Sequence, residues 1–194
     1  MARTIEFDRE EVLQKALDVF WREGYCKCSI SSLVKATHLQ PGSLYAAFNS
    51  KEGLFLATLA YYGRQSIERL QVCLDMAETP LQGVRKFIEN IGETILRKQD
   101  QRGCFLVNTV LELSPGRKTI NAEVNKYFNA IEAHLFAALV AAHDAGELSP
   151  NRNPAVLAKY LMVNIWGLQV LAKTKPDPES VRALLDQIGE SLRA

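Results

Sequence analysis

The sequence predicts an all-α fold, and three observations carry that prediction. Apolar residues recur at helical spacing along the chain, without convincing strand alternation or a hairpin dipeptide flanked by strands. All seven prolines fall where a helix would start or stop. Capping patterns mark helix starts directly, at Asp8 with Glu11 and at Asn49 with Glu52.

The first helix begins at Asp8, with Phe7 and Val12 placed as a hydrophobic staple. Val12, Leu13, Ala16, Leu17 and Phe20 form one apolar stripe, and Gly24 stops it. A second helix starts at Ser29, carries Ile30, Leu33 and Val34, and ends near Thr37. A third starts at Gln40 and ends at Phe48, with Pro41 in the first helical position, where its missing N–H costs nothing. The fourth is long, about Ser50 to Met76. Thr79-Pro80 opens a fifth, with Val84, Phe87, Ile88, Ile91 and Ile95 inward, and QDQRG breaks it. The sixth runs from about Cys104 to Ser114 and stops at Pro115-Gly116. The seventh holds Ile120, Val124, Phe128, Ile131, Leu135 and Leu139 and ends at Gly146. After the surface loop LSPNRNP, Asn153-Pro154 opens the eighth, and Asp177-Pro178 opens the ninth.

With 194 residues, 47% hydrophobic and 23% charged, the chain has the composition of a soluble globular protein able to bury one or two cores. No apolar run approaches the roughly 18 residues expected of a membrane span, and MARTIEFDREE lacks the apolar core of a secretion signal. The cytoplasm is the expected compartment, with no membrane partner. Cys26, Cys28, Cys73 and Cys104 are irregularly spaced, as free thiols are. A net charge of +1 announces no polyanion partner, so any nucleic-acid site must be arranged locally.

Such an arrangement is visible in LQPGSLYAAFNSKEGLF, residues 39–55. About three residues around His38 join the second and third helices, the spacing of a helix-turn-helix. Leu33, Leu39, Leu44 and Phe48 can pack back on the first helix. The outward face then shows Gln40, Pro41, Gly42, Ser43, Tyr45, Ala46 and Ala47, small and uncharged. Gly42 lets backbone approach a phosphate or base edge, and Tyr45 can bond a phosphate through its hydroxyl. Lys51 opposes the dipole of its own helix start, and a phosphate there would supply the missing anion.

The first helix followed by SISSLVKATHLQPGSLYAAFNSKEGLF resembles the N-terminal DNA-binding domain of the TetR family of bacterial transcriptional regulators. Its most specific part is G-S-L-Y-x-x-F-x-S-K-E-x-L, Gly42 to Leu54. The resemblance implies that the third helix is the recognition helix. It also implies that Tyr45 and Lys51 touch phosphates, and that Ser29 and Ser31 touch backbone or a base. Two departures stand out. Thr37-His38 replaces the family's usual Ala-Gly, and Pro41, Ala46 and Ala47 replace more polar or aromatic residues. A helix-turn-helix domain over residues 1–49 and an effector-binding and dimerisation domain over 50–194 follow. The partners implied are a double-stranded DNA operator, a second copy of the chain and an effector.

The eighth helix is apolar on most sides, as a helix with two partners is. Leu161 and Leu168 on it, with Leu184, Leu185 and Ile188 on the ninth, are the expected homodimer contacts. Tyr62, Phe87, Ile91, Phe128 and Trp166 are placed to line an effector pocket. Cys104 falls at the start of the sixth helix, where the dipole, Lys98 and Arg102 favour thiolate. Gly103, Cys104, Phe105, Asn108 and Glu112 resemble a TetR subgroup with a Gly-Cys-Phe/Leu motif, some members of which respond to electrophiles or oxidants. Cys104 is the candidate sensor thiol, against the alternative of a small buried residue at a tight helix start.

No metal or cofactor motif appears, since Cys26 and Cys28 with His38 lack metal-ligand spacing. No catalytic pattern appears either: there is no Ser-His-Asp order, HExxH or phosphate loop. The leading expectation is a repressor released from a palindromic operator by a small molecule or a thiol-reactive compound. The alternatives are a helical adaptor with a degenerate helix-turn-helix and a helical enzyme.

Overall fold

The computed structural model describes residues 7–97, 102–113 and 116–193. Among them lie nine α-helices and no strand: α1 (Arg9–Glu23), α2 (Ile30–Thr37), α3 (Pro41–Phe48), α4 (Lys51–Asp75), α5 (Pro80–Leu96), α6 (Phe105–Glu112), α7 (Lys118–Asp144), α8 (Pro154–Leu171) and α9 (Pro178–Ser191). A single 3-10 turn, Ala172–Thr174, follows α8. Lys98, and the Ser114-Pro115 end expected for the sixth helix, lie outside the described residues.

Side-chain caps explain most of the starts. The Asp8 carboxylate accepts the N–H groups of Glu10 and Glu11 at 2.8 and 3.2 Å. Ser29, Thr79, Asn153 and Asp177 cap α2, α5, α8 and α9 in the same manner. Two starts differ from expectation by one residue. The cap of α4 is Ser50, whose hydroxyl accepts the Gly53 N–H at 2.9 Å, not Asn49. Asn49 instead closes α3 at φ +64°. With two residues between helices, one must turn left-handed and the next must be extended; Asn tolerates the first and Ser suits the second. Cys104 likewise stands just outside α6, as its extended N-cap residue.

Two apolar clusters form the interior. The first joins Val12, Leu17 and Phe20 of α1 with Leu33, Leu44 and Phe48, the inward side of the helix-turn-helix. It continues without a break through Phe55 and Tyr62 of α4, Phe105 and Leu106 of α6, and Ile120 and Val124 of α7. The expected boundary at residues 49 and 50 is therefore a chain junction and not an edge of the core. The second cluster holds Leu70, Val84, Ile88, Leu135, Leu139, Leu161 and Leu168. The long α4 runs from one cluster into the other. It crosses α7 at Gly63, where a Cβ would come within 2.3 Å of the Tyr127 ring.

The expected dimer contacts need correcting. Leu161, Leu168 and Ile188 are 0%, 3% and 2% exposed, within the chain's own second core. Leu185 packs against Gly92 of α5, leaving Leu184 as the exposed member of the set. The outer faces instead present Val156, Tyr160, Val163 and Val170. Periodicity shows that α8 has two apolar sides but not which one the monomer takes. Pro154–Thr174, with mean hydropathy 1.5, is long and apolar enough to cross a membrane by length and composition only. Its Leu157, Leu161, Met162, Ile165 and Leu168 nevertheless pack within the second core.

His38 turns the chain between α2 and α3 at φ +59°, ψ 16°, a left-handed conformation. Its side chain is exposed, while the Thr37 hydroxyl accepts the Leu39 N–H at 3.4 Å and donates to the Leu33 carbonyl at 2.8 Å. The His38 backbone carries about 1–2 kcal/mol of strain that glycine lacks, partly offset by glycine's greater freedom when unfolded. His38→Gly is expected to raise the thermal midpoint by about 1–3 °C, and the β-branched His38→Val to lower it. Calorimetry of the two variants checks the order.

Candidate functional site

The α3 helix is eight residues long and anchored by two side chains, Leu44 and Phe48, which are 0% and 4% exposed. The α1 residue Arg9 lies over the Phe48 ring, 4.6 Å from its centroid. With the inner side held, Gln40, Pro41, Gly42, Tyr45 and Ala46 are exposed, and Ser43 is half-buried. A Cβ built on Gly42 would meet nothing within 4 Å. Gln40 makes no side-chain cap bond, so its amide is not consumed by its own helix. At the start of α2, Ser29 and Ser31 are exposed and joined hydroxyl to hydroxyl at 2.7 Å. The expected DNA-facing residues of α3 thus share one open surface.

Lys51 is less free than its position suggests. It is half-buried, with Nζ 4.7 Å from the centroid of the Tyr25 ring. Arg117 at the start of α7 approaches the same ring at 5.3 Å and pairs with Glu52 at 3.3 Å. Burial pushes the Tyr25 phenol up from its ordinary pKa; Glu52 adds to the rise and Arg117 opposes it. Cation–π contact therefore sets the direction of Lys51.

Behind the aromatic contacts of α1, α4 and α6 lies a cavity of about 790 Å³. Tyr62, Phe87, Ile91, Phe128 and Trp166 all lie in its wall, as does Cys104. The Trp166 Nε1 is buried without a hydrogen-bond partner among the described residues. Sequence reasoning missed the contribution of α1, through Gln14, Leu17 and Trp21, and of Gln169 on α8. No helical period could reveal them, because they face the cavity only after α1 has docked on α4.

The environment of Cys104 differs from the one expected. Burial dominates and pushes its thiol above the ordinary range; the N–H groups of Val107 and Leu106 and the Tyr62 side chain pull down without reversing the rise. Arg102 is engaged elsewhere: it pairs with Asp18 at 3.0 Å and lies 4.3 Å over the Trp21 ring. Cys104 therefore lies in a cavity wall with its thiol held above the ordinary range, the opposite of the shift expected from the helix start alone. Among the described residues no group of three or more His, Cys, Asp or Glu side chains is placed to share a metal ion.

Residues 102–113 connect the regions. Gly103, at φ +71°, sits so close to α8 that a Cβ would come within 2.5 Å of the Gln169 carbonyl. Asn108 donates to the Arg102 carbonyl at 2.7 Å and accepts from Lys173 at 3.0 Å. At the far end of α6, the Glu112 carboxylate accepts the N–H groups of Tyr25 and Cys26 at 2.9 and 2.7 Å.

Comparison with known proteins agrees with this arrangement. Residues 12–58 match the family model for bacterial regulatory proteins of the tetR family. Residues 80–188 match that of the tetracyclin repressor-like C-terminal domain. The HTH-type transcriptional repressor ComR of Escherichia coli K12 is 30% identical over 189 residues, 96% of this chain and 88% of ComR. A cysteine variant of the TetR family regulator CifR, solved with 26-base-pair operator DNA, superposes with a TM-score of 0.84. It is 30% identical, with 97% of this chain and 99% of that one covered. Reduced E. coli NemR shares the fold at TM-score 0.84 and 22% identity, covering 96% of each chain.

Maleimide labelling followed by mass spectrometry tests the state of the cavity thiol. Exposed Cys26 is expected to react ahead of Cys104. The Cys104 rate is expected to keep rising about tenfold per pH unit beyond pH ~8.5, where an ordinary thiol is half ionised. A Cys104 rate that levels off below that pH would contradict the effect of burial.

Proposed function

Because this chain belongs to the TetR family of bacterial regulatory proteins, we propose that it is a homodimeric cytoplasmic repressor that leaves a palindromic operator when a small molecule enters the cavity. The open, uncharged face of α3 carries this reading. A helix held by Leu44 and Phe48, in which a Cβ on Gly42 would meet nothing within 4 Å among the described residues, is free to enter a major groove about 12 Å wide. Ser29, Ser31, Gln40, Pro41, Gly42, Ser43, Tyr45, Ala46 and Lys51 are the assigned contacts. Residues 1–49 form the DNA reader, and 50–194 bind effector and the second subunit. The operator complex of CifR supports the DNA partner, and the repressor ComR supports the sign. The reading includes no catalytic step.

The effector is assigned to the cavity through Tyr62, Phe87, Ile91, Phe128 and Trp166. A reversible ligand suits a Cys104 thiol held above the ordinary range better than capture of an electrophile does. A thiol-reactive effector is the second reading, supported by the position of Cys104 in the cavity wall and by Gly103, Cys104 and Phe105, the motif of the proposed subgroup. Dimerisation is assigned to Val156, Tyr160, Val163, Val170 and Leu184, apolar side chains left exposed on α8 and α9.

Two outcomes test the reading. Tyr45→Phe with Lys51→Ala is expected to weaken operator binding about tenfold or more. The salt slope is expected to drop by about one for each lysine that no longer meets a phosphate, hence about two per dimer. Retained affinity in fluorescence anisotropy would remove these residues from the DNA-binding surface. Val163→Asp is expected to sediment as a monomer and to lose operator affinity with it; a dimeric Val163→Asp protein would place the interface elsewhere.

A further inference from the structure

We infer that Glu112 is a positioning residue for operator binding: its carboxylate sets the orientation of the helix-turn-helix relative to the rest of the subunit. The inference rests on the DNA-binding reading above. Glu112 is on α6, yet both its oxygens are spent on the turn that joins α1 to α2, where they accept the Tyr25 and Cys26 N–H groups at 2.9 and 2.7 Å. Charge-assisted bonds of this kind are about twice as strong as neutral ones.

The turn has an anchor besides this carboxylate: the Tyr25 side chain is buried in the first core, while Cys26 is exposed. What Glu112 adds is a fixed separation between α6 and the turn. The sequence leaves room for it at Gly24, where a Cβ would come within 2.8 Å of Oε1. From Cys26 the chain reaches the α2 cap, Ser29, within three residues, so the placement of the turn is passed to α2 and α3.

Residues of the same segment grip α1 a second time. The Arg102 guanidinium pairs with Asp18, and the Arg102 carbonyl accepts the Trp21 Nε1–H at 3.3 Å. Between these two attachments, Cys104, Leu106 and Val107 line the cavity. An occupant that displaces α6 moves Glu112, and Glu112 carries the turn with it. In a dimer, a small rotation of each helix-turn-helix changes the spacing of the two recognition helices, to which half-site geometry is sensitive.

The test compares full-length wild type, Glu112→Gln and Glu112→Ala on a palindromic duplex and on a single half-site. Both duplexes are selected by the wild type from a random-sequence pool, and half-site binding is read at low salt. Glutamine keeps the shape and one acceptor; alanine removes both. The expected losses on the palindrome are about threefold for Gln and tenfold or more for Ala, with half-site binding within about twofold of wild type. Unchanged palindrome binding by both variants overturns the inference. So does an equal loss on both duplexes, which would make Glu112 a support of the helix-turn-helix itself. If Glu112→Ala does not fold, Glu112→Gln carries the comparison alone. A wild type that selects no duplex overturns the DNA reading and this inference together, an outcome distinct from failure of the variants.

Discussion

The edge-to-face contact between Phe55 of α4 and Phe105 of α6, with ring centroids 5.5 Å apart, is the constraint on which the rest of the molecule depends. Phe20 and Tyr25 close on Phe55 at 4.9 and 4.7 Å, and Trp21 meets Tyr62 at 5.0 Å. Each such ring buries on the order of 150–250 Å² and prefers tilted or edge-on neighbours. Six aromatic residues from α1, its following turn, α4 and α6 thereby share one packed interior. The helix-turn-helix is consequently built onto α4, α6 and α7, and its core is not its own. A displacement of α6 cannot be absorbed locally, because close-packed interiors shift between discrete arrangements and do not deform smoothly.

The same packing decides the chemistry of the cavity. A helix N-terminus favours a thiolate, and Cys104 stands at one, within reach of two N–H groups of the first turn. Yet taking a charge out of water costs several kcal/mol per ion even after relaxation, whereas a helix terminus returns about 0.3–2 kcal/mol. Burial is accordingly the larger of the two influences on this thiol. In the proposed reading, an effector in this cavity acts through unequal affinity for two arrangements of the subunit.

The apolar surface follows from a similar division of labour. One side of α8 completes the second core, and its other side keeps Val156 and Val163 64% and 61% exposed. That exposure is large for side chains with no polar atoms. A second copy covering it would bury the same patch on both subunits, as two-fold symmetry requires. The α3 surface shows the opposite balance: it is small and uncharged, and Leu44 and Phe48 fix where the helix is held.

Much of this architecture was legible in the order of residues. Helix starts are largely local events, in which Asp8, Thr79, Asn153 and Asp177 bond N–H groups two or three residues away. The helix-turn-helix was legible for the same reason, since Leu33, Leu39, Leu44 and Phe48 declare an inner face within sixteen residues. The five pocket residues were found because large apolar side chains on the inward stripes of α4, α5, α7 and α8 must converge. What the sequence could not decide was which of two equivalent choices the fold takes. It marked α8 as apolar on two sides, but only packing placed Leu161 and Leu168 inside and Val163 outside. It placed Cys104 at a helix start, but only packing made burial outweigh the helix dipole there. It offered Glu112 only as part of a motif resemblance, and only the docking of α1 brought the turn at Tyr25, eighty-seven residues earlier, within reach of that carboxylate. Local bonding is written in neighbouring residues; burial, and any contact between distant ones, exists only once the helices have packed.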